Sequence, residues 1–419
     1  MIMLFLILSL SLFLVSLKAV GVRIYNFSNV VVSVFWGVVV FVLLAIPVDW
    51  LFYHGRYSHL YNYVVLHVSF FVFGVSSGLI LFSRYSESVQ QASVWSVSSN
   101  TAKAYFFLLL FGVGLMALLY LRMPEVPLFS EDVHEARVRS LRGLGYNYKL
   151  ALSSMYVGFV GVSYFLFQKG KRSVAIFLSL LLFLFSMPTA NRIDSLFFIL
   201  FVVLVALLPI KGARSSVYNL IRAFFVVSGI FFIAGVFQFS RHYGLNSLFD
   251  SGMEEIYRFA LGGFFHRFWV QLENISFLID NEVALPWYET VFNDIAMAIP
   301  GSGVGNTSGV LLKEAANVRF AGGGITPSFI GEGYVSFGCI GSFIYTAILG
   351  IFFGFINILL LVSMGGRHKF FPFLLVGSVS IYGVATSTLG AVLVHNILPL
   401  VIVFFAFLFI CCFLKRFKR

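Results

Sequence analysis

Apolar stretches of the length a bilayer demands recur along this 419-residue chain from one end to the other. They lie at about 1–17, 30–48, 60–83, 104–121, 150–167, 173–187, 195–210, 217–236, 334–362, 371–388 and 391–414. Crossing a hydrocarbon core of about 30 Å takes roughly 20 helical residues, so the pattern predicts an all-α polytopic membrane protein with about 11 transmembrane helices. The first run, Met1–Leu17, has no basic region before it and no small-residue cleavage site, and therefore reads as a span and not as a signal peptide. Two polar interruptions, 122–149 and 237–333, are too long to be connectors. The predicted organisation is a transmembrane bundle over 1–236 with about eight spans, a large helical loop over 237–333, and C-terminal helices with a basic tail over 334–419.

Composition sharpens the class. Hydrophobic residues make up 60% of the chain and charged residues 11%, with a mean hydropathy of +0.96. A soluble domain carries about 25% charged residues, so a water-soluble fold is excluded. The chain is one membrane domain, with no soluble enzyme attached to an anchor. Its 52 Phe residues read as lipid-facing and packing bulk. Cys339 lies in an apolar run and Cys411 and Cys412 are adjacent, so no CxxC redox or thiolate metal motif is present.

Charge then gives orientation. Sixteen of the 28 Lys and Arg fall in alternate short loops and in the tail, from Lys18 and Arg23 to Lys415, Arg416, Lys418 and Arg419. An excess of Lys and Arg marks the cytoplasmic side, which puts the N-terminus outside and the C-terminus inside. By that topology 16 of the 17 Asp and Glu face outward, Glu87 being the exception, together with ten Arg and only two Lys. Lys serves topology as well as Arg does. An outer surface rich in Arg points to its planar fork, used on phosphate or carboxylate, or else to pairing with the acids around it.

The first of the two long outer segments reads RMPEVPLFSEDVHEARVRSLRGLGYNYK. Ser130, then Glu131 and Asp132, then Arg137, Arg139 and Arg142 form the pattern of a capped helix with its charges arranged along the dipole. The second loop opens with Arg241 and His242 and continues SGMEEIYRFALGGFFHRFWVQLENISFLID, helical in period but crowded with aromatics. Arg258 and Arg267 would point in nearly opposite directions on a straight helix, and a break at Gly262–Gly263 is expected to bring them together. Phe264, Phe265, Phe268 and Trp269 are too apolar for a solvated loop and predict burial in the interface or the bundle. The glycine-rich PGSGVGNTSG and RFAGGGITPSFIGEGYVSFG lack the Gly-Lys-Ser/Thr of a P-loop, so nucleotide binding is unsupported. Such glycines let backbone amides approach a phosphate, or serve only as a loop. His54 and His59 sit on different faces of a helix and no HExxH surrounds them, which leaves no metal motif.

The segment Thr326–Gly341 ends the large loop with Glu332, Tyr334, Gly338 and Gly341, a Glu-x-Tyr-x-x-x-Gly re-entry into the membrane. This resembles the O-antigen (Wzy-type) oligosaccharide repeat-unit polymerases. Asn191-Arg192-Ile-Asp194-Ser195, at the outer start of the seventh span, is a second point of similarity and is shared with O-antigen ligases. The likeness covers the layout of the whole chain. It implies a GT-C-like fold in a bacterial inner membrane, with glycosyl transfer on the periplasmic face. The donor would be a growing glycan on polyprenyl diphosphate, the acceptor the next lipid-linked repeat unit, and a chain-length-regulating co-polymerase an expected partner. Such a site needs positive charge at the leaving diphosphate, for which Arg192, Arg241, Arg258, Arg267 and Arg319 are the candidates. It needs a base at the acceptor hydroxyl, for which Glu332 and His266 are the candidates, while Tyr334 and His242 are placed to contact sugar. Arginines in this number make a metal or other cofactor unnecessary, and no DxD-type carboxylate cluster or nucleic-acid-binding feature is present. Ligase-type transfer to a lipid A core is the close alternative. A flippase or secondary transporter is the alternative from another class, although no paired repeat of the transporter kind is found.

Overall fold

A computed structural model describes residues 2–19, 30–83, 97–130, 133–141, 144–189, 192–207, 253–298, 308–317, 325, 327–365, 370–381, 383 and 388–416. Among the described residues the regular structure is helical and there is no strand. The helices are α1 (Ile2–Ala19), α2 (Val30–Phe52), α3 (Tyr61–Leu81), α4 (Ser99–Arg122), α5 (Val133–Leu141), α6 (Gly145–Gln168), α7 (Arg172–Ser186) and α8 (Arg192–Leu207). They continue as α9 (Met253–Asp280), α10 (Trp287–Ala298), α11 (Ser308–Ala315), α12 (Ser328–Gly365), α13 (Phe371–Ile381), α14 (Leu389–Val392) and α15 (Leu398–Arg416), with a π-helical stretch, Leu393–Ile397, joining the last two. Helices are what a bilayer permits, because each satisfies its own backbone where no water can.

Among the described residues six helical stretches are long and apolar enough to cross a membrane: Ser58–Leu81, Ser99–Arg122, Gly145–Gln168, Arg172–Thr189, Ser328–Leu359 and Leu389–Leu414. Met3–Ala19, Val42–Phe52, Asp194–Ala206 and Phe371–Ser380 are apolar but shorter. The run expected at 217–236 lies outside the described residues.

The chain divides into two compact units. The first comprises Met1–Ser93, Phe265–Arg367 and Gly377–Leu398, so the latter part of the large loop packs with the N-terminal helices. Its spine is the contact of α3 with α12, where glycines on both helices let the main chains touch and aromatic pairs such as Phe71–Phe353 and His67–Phe343 pack beside them. A Cβ built on Gly74 would lie 2.1 Å from the carbonyl oxygen of Ala347, and one on Gly78 would lie 2.5 Å from that of Ile351. From the other side, a Cβ on Gly350 would lie 2.4 Å from the carbonyl oxygen of Phe71, and one on Gly354 2.6 Å from that of Val75. Two four-residue glycine spacings thus face each other. In lipid, where hydrophobicity does not drive helices together, this close backbone approach supplies the attraction. α1 packs on α3 alongside it, with Phe5 and Phe70 at 5.1 Å.

The second unit comprises Val94–Phe264, His368–Val376 and Pro399–Arg419. α4 lies on α6 in the same manner: Gly112 abuts Met155 and the Ala151 carbonyl, and Gly158 abuts Leu109. Ser98 caps α4 by accepting from the Thr101 N–H at 3.2 Å. Between α4 and α5, Ser130 precedes the helix and Glu125 gathers the Ser130 and Ser140 hydroxyls and the Arg139 guanidinium at 2.9–3.1 Å.

Two sequence expectations are corrected. α9 runs unbroken through Gly262–Gly263. Positions 258 and 267 are therefore half a turn apart along the helix backbone at about 100° per residue. The span expected to begin at 334 belongs to a helix that starts at Ser328 and breaks at Gly338, where φ is 68° and ψ is −174°. That region of backbone space is essentially open to glycine alone. The chain reverses there. A Cβ on Gly333 would sit 3.3 Å from Ser342 Cα and 2.9 Å from the Tyr345 ring, residues that a straight helix would place about 13 Å or more away. Ser328–Phe337 is accordingly a short helix folded back on the long one.

The glycine spine generates a comparison. Gly74→Val should destabilise the protein by about 2–3 kcal/mol or more through overpacking against backbone that cannot move. Gly114→Ala, at a helical glycine with nothing within 4 Å, should be neutral or slightly stabilising. Thermal unfolding of both variants in detergent checks the pair, and equal melting temperatures would contradict the packing described.

Candidate functional site

Among the described residues of the first unit three carboxylates are withdrawn from solvent: Asp49, Asp294 and Glu332, at 0%, 1% and 2% exposure. A buried carboxylate without donors is very costly, so the donors of each show what it is for.

Asp49, in the last turn of α2, is fully engaged. Its Oδ2 accepts from the Tyr57 N–H at 2.9 Å and the Tyr61 hydroxyl at 2.7 Å, and its Oδ1 accepts from Trp269 Nε1 at 2.9 Å. Its main-chain carbonyl takes the N–H groups of Tyr53 and Gly55, both at 3.0 Å. The left-handed pair His54 and Gly55 turns the chain around it. Tyr53 stacks on Trp269 at 4.1 Å, Phe52 stacks on Phe265 at 4.7 Å, and the Arg56 guanidinium lies over Tyr57 and Trp269. Phe265 and Trp269 thus fasten α9 to the end of α2 and the turn after it, while the side chains of Phe264 and Phe268 lie outside the described part. Burial pushes the Glu273 carboxyl up from its ordinary range, an effect the positive charge of Arg56 partly offsets.

Asp294, on α10, is also fully engaged. Oδ1 accepts the Ser308 N–H at 2.9 Å, and Oδ2 accepts the hydroxyls of Ser308 at 2.6 Å and Thr388 at 3.1 Å. Thr388 in turn accepts the Ala391 N–H as the cap of α14. Gly390 leaves room for the carboxylate, since a Cβ there would lie 2.8 Å from Asp294 Oδ2.

Glu332 differs. Its Oε2 accepts the Leu389 N–H at 2.8 Å, the first amide of α14, and the Tyr345 hydroxyl at 3.0 Å across the Gly338 reversal. Its Oε1 is buried and has no partner among the described residues. Among the described residues no Lys or Arg forms an ion pair with it. Two more buried oxygens without partners, Ser328 Oγ and Ser336 Oγ, belong to the same short helix. Each such group costs about 1–3 kcal/mol, so the fold tolerates three adjacent penalties. One turn beyond the reversal, Ser342 contacts His67 Nε2 and the Tyr63 hydroxyl, both at 3.0 Å. His67 Nδ1 donates to the Tyr63 carbonyl at 2.9 Å, because a carbonyl can only accept.

The structure places the remaining candidates as follows. Tyr334 is half-buried against the apolar cluster of Leu278, Val283, Leu312, Ala316, Ile325 and Val335. Arg192 opens α8, and Arg258, His266 and Arg267 lie on α9 as backbone positions, their side chains outside the described part. Arg241, His242 and Arg319 lie outside the described residues. In the second unit, Asp194 of the Asn191–Ser195 motif is occupied structurally. Lys149 Nζ approaches its two oxygens at 3.0 and 3.2 Å, and Tyr148 donates to it at 3.1 Å. Among the described residues no three His, Cys, Asp or Glu side chains group as a metal site would. Asp49, Asp294 and Tyr345 were not singled out by sequence. The signal available was a lone acid at the edge of an apolar run for Asp49, and in an amphipathic loop helix for Asp294.

Compared with protein-family models, with curated proteins and with solved structures, the chain matches none.

Two outcomes are expected. Asp294→Ala should remove the acceptor from two hydroxyls and an amide and destabilise the protein by about 3 kcal/mol or more, read by denaturant unfolding. For Glu273 the fold favours the neutral carboxyl, so its unfavourable contribution is absent in acid and grows as pH rises through the carboxylate range. Glu273→Gln should therefore raise the melting temperature at neutral pH and lose that advantage at acid pH, which a pH series of melting curves checks.

Proposed function

We propose that this chain polymerises lipid-linked oligosaccharide repeat units, as a GT-C-like enzyme of about 11 spans in a bacterial inner membrane with its working face in the periplasm. The observation that carries the reading is Glu332: a buried carboxylate with one oxygen engaged and one open, on a short helix folded back at a glycine. It stands where the sequence places the re-entry from the large loop, in the segment that resembles the repeat-unit polymerases.

In this scheme the acceptor hydroxyl oxygen attacks the anomeric carbon of the donor glycan. The bond from that carbon to the diphosphate oxygen breaks, and polyprenyl diphosphate leaves with the electron pair. The hydroxyl proton passes to Glu332, with His266 the alternative base. Arg192, Arg241, Arg258, Arg267 and Arg319 remain the candidates for meeting the leaving diphosphate. The unbroken α9 allows one of Arg258 and Arg267 on a given ligand and not both. Tyr334 and His242 are the candidates for sugar contact. A co-polymerase setting chain length is the expected protein partner.

The test is incubation of the purified protein with polyprenyl-diphosphate-linked repeat units, resolved on a gel. A ladder supports the polymerase. A single addition to a lipid acceptor would identify a ligase, and no covalent product would point to transport. Glu332→Gln should reduce the ladder about 100-fold or more, in the range of a lost general base, and Arg192→Ala should leave single repeats unjoined. Activity should survive EDTA, and its loss would overturn the metal-free scheme.

A further inference from the structure

The short helix Ser328–Phe337 carries three buried side-chain oxygens that have no partner among the described residues: Ser328 Oγ, Glu332 Oε1 and Ser336 Oγ. Their four-residue spacing stacks them along one face of that helix. Ser328 and Glu332 are 1% and 2% exposed. Both ends of the helix hold left-handed backbone, Ser328 at φ 56° and Gly338 at φ 68°. For Ser328, a non-glycine residue, that conformation is uncommon and strained. A row of unsatisfied oxygens on an element bounded by two such positions is a polar surface for which the described residues supply no complement.

The spacing decides what can complete it. At 1.5 Å per residue, positions 328 and 336 are about 12 Å apart along the axis. Oxygens bound to one cation at about 2.3–2.6 Å can be no more than about 5 Å apart, so a single metal ion cannot bridge the row. An extended ligand offering several hydrogen-bond donors can. The central oxygen, Glu332 Oε1, belongs to a carboxyl group that as an anion only accepts, while the two serines accept or donate. That pattern matches successive hydroxyls of a carbohydrate. It does not match a diphosphate, whose oxygens Glu332 would repel.

We infer that Ser328, Glu332 and Ser336 form a glycan-hydroxyl subsite, which on the polymerase reading holds the acceptor sugar with its nucleophilic hydroxyl at Glu332. The inference rests on that reading for the word acceptor alone; the recognition of sugar hydroxyls rests on the three oxygens. Binding then requires the short helix to tilt about Ser328 and Gly338 and turn its face toward the ligand. The two serines are specificity-determining contacts and take no part in the proton transfer.

A hydroxyl that the fold uses is missed when removed, whereas an unsatisfied one is not. The double variant Ser328→Ala/Ser336→Ala separates these cases. Its melting temperature without ligand should equal or exceed that of the parent. Polyprenyl-diphosphate-linked repeat units, and the same oligosaccharide released from its diphosphate by mild acid, should each raise the melting temperature of the parent. In the variant at least half of that rise should be lost, and in the ladder assay its KM for acceptor should increase tenfold or more with little change in kcat. A lower melting temperature without ligand would make the hydroxyls structural and overturn the subsite. So would a parent unaffected by glycan, or a glycan-induced rise that is the same in both proteins. A serine-dependent rise without any ladder would keep the subsite and discard the polymerase.

Discussion

A carboxylate taken out of water loses its hydration, so each one the first unit buries needs its donors within the protein. Asp49 and Asp294 each collect three, spread over both oxygens. Those bonds tie together segments far apart in sequence: the α2–α3 turn to α9, and α10 to the start of α11 and α14. Glu332 collects two donors on one oxygen and leaves the other open. The first two acids are fasteners. The third is half fastener, half open valence, and on this difference the functional reading turns.

The open oxygen exists because of how backbone packs around it. The glycine faces of α3 and α12 bring two main chains within contact and fix the long half of α12. Gly338 then reverses the chain, and Gly333 lets the short half lie flat against Ser342 and Tyr345. Tyr345 meets Glu332 only across that reversal. A straight helix would carry position 332 well away from position 345 and leave the carboxylate without its side-chain donor. The close packing that stabilises the unit thus also positions its least satisfied group.

Much of this was legible in the sequence, and the illegible parts have physical reasons. Apolar runs gave the helices, since the bilayer dictates length and composition together. The aromatic stretch Phe264–Trp269 announced burial, and Phe265 and Trp269 are found against α2 and its turn. Glu332 and Gly338 were visible as a motif. The fold-back was not, because the apolar run at 334–362 continues through Gly338 without a polar interruption. Gly74, Gly78, Gly350 and Gly354 display their spacing, but which face meets which is a tertiary fact. The partners of Asp294 lie 14 and 94 residues away and leave no local trace. Gly262–Gly263 misled for a related reason: glycine lowers helix propensity by about 1 kcal/mol, which a packed helix overrides.

The claim that Glu332 keeps one oxygen for a ligand is tested most directly by infrared difference spectroscopy of the purified protein, with and without lipid-linked repeat units. A carboxyl or carboxylate band should change on addition of the glycan and be absent from the difference spectrum of Glu332→Gln. A spectrum with no such change, or a change that persists in the variant, would contradict the account.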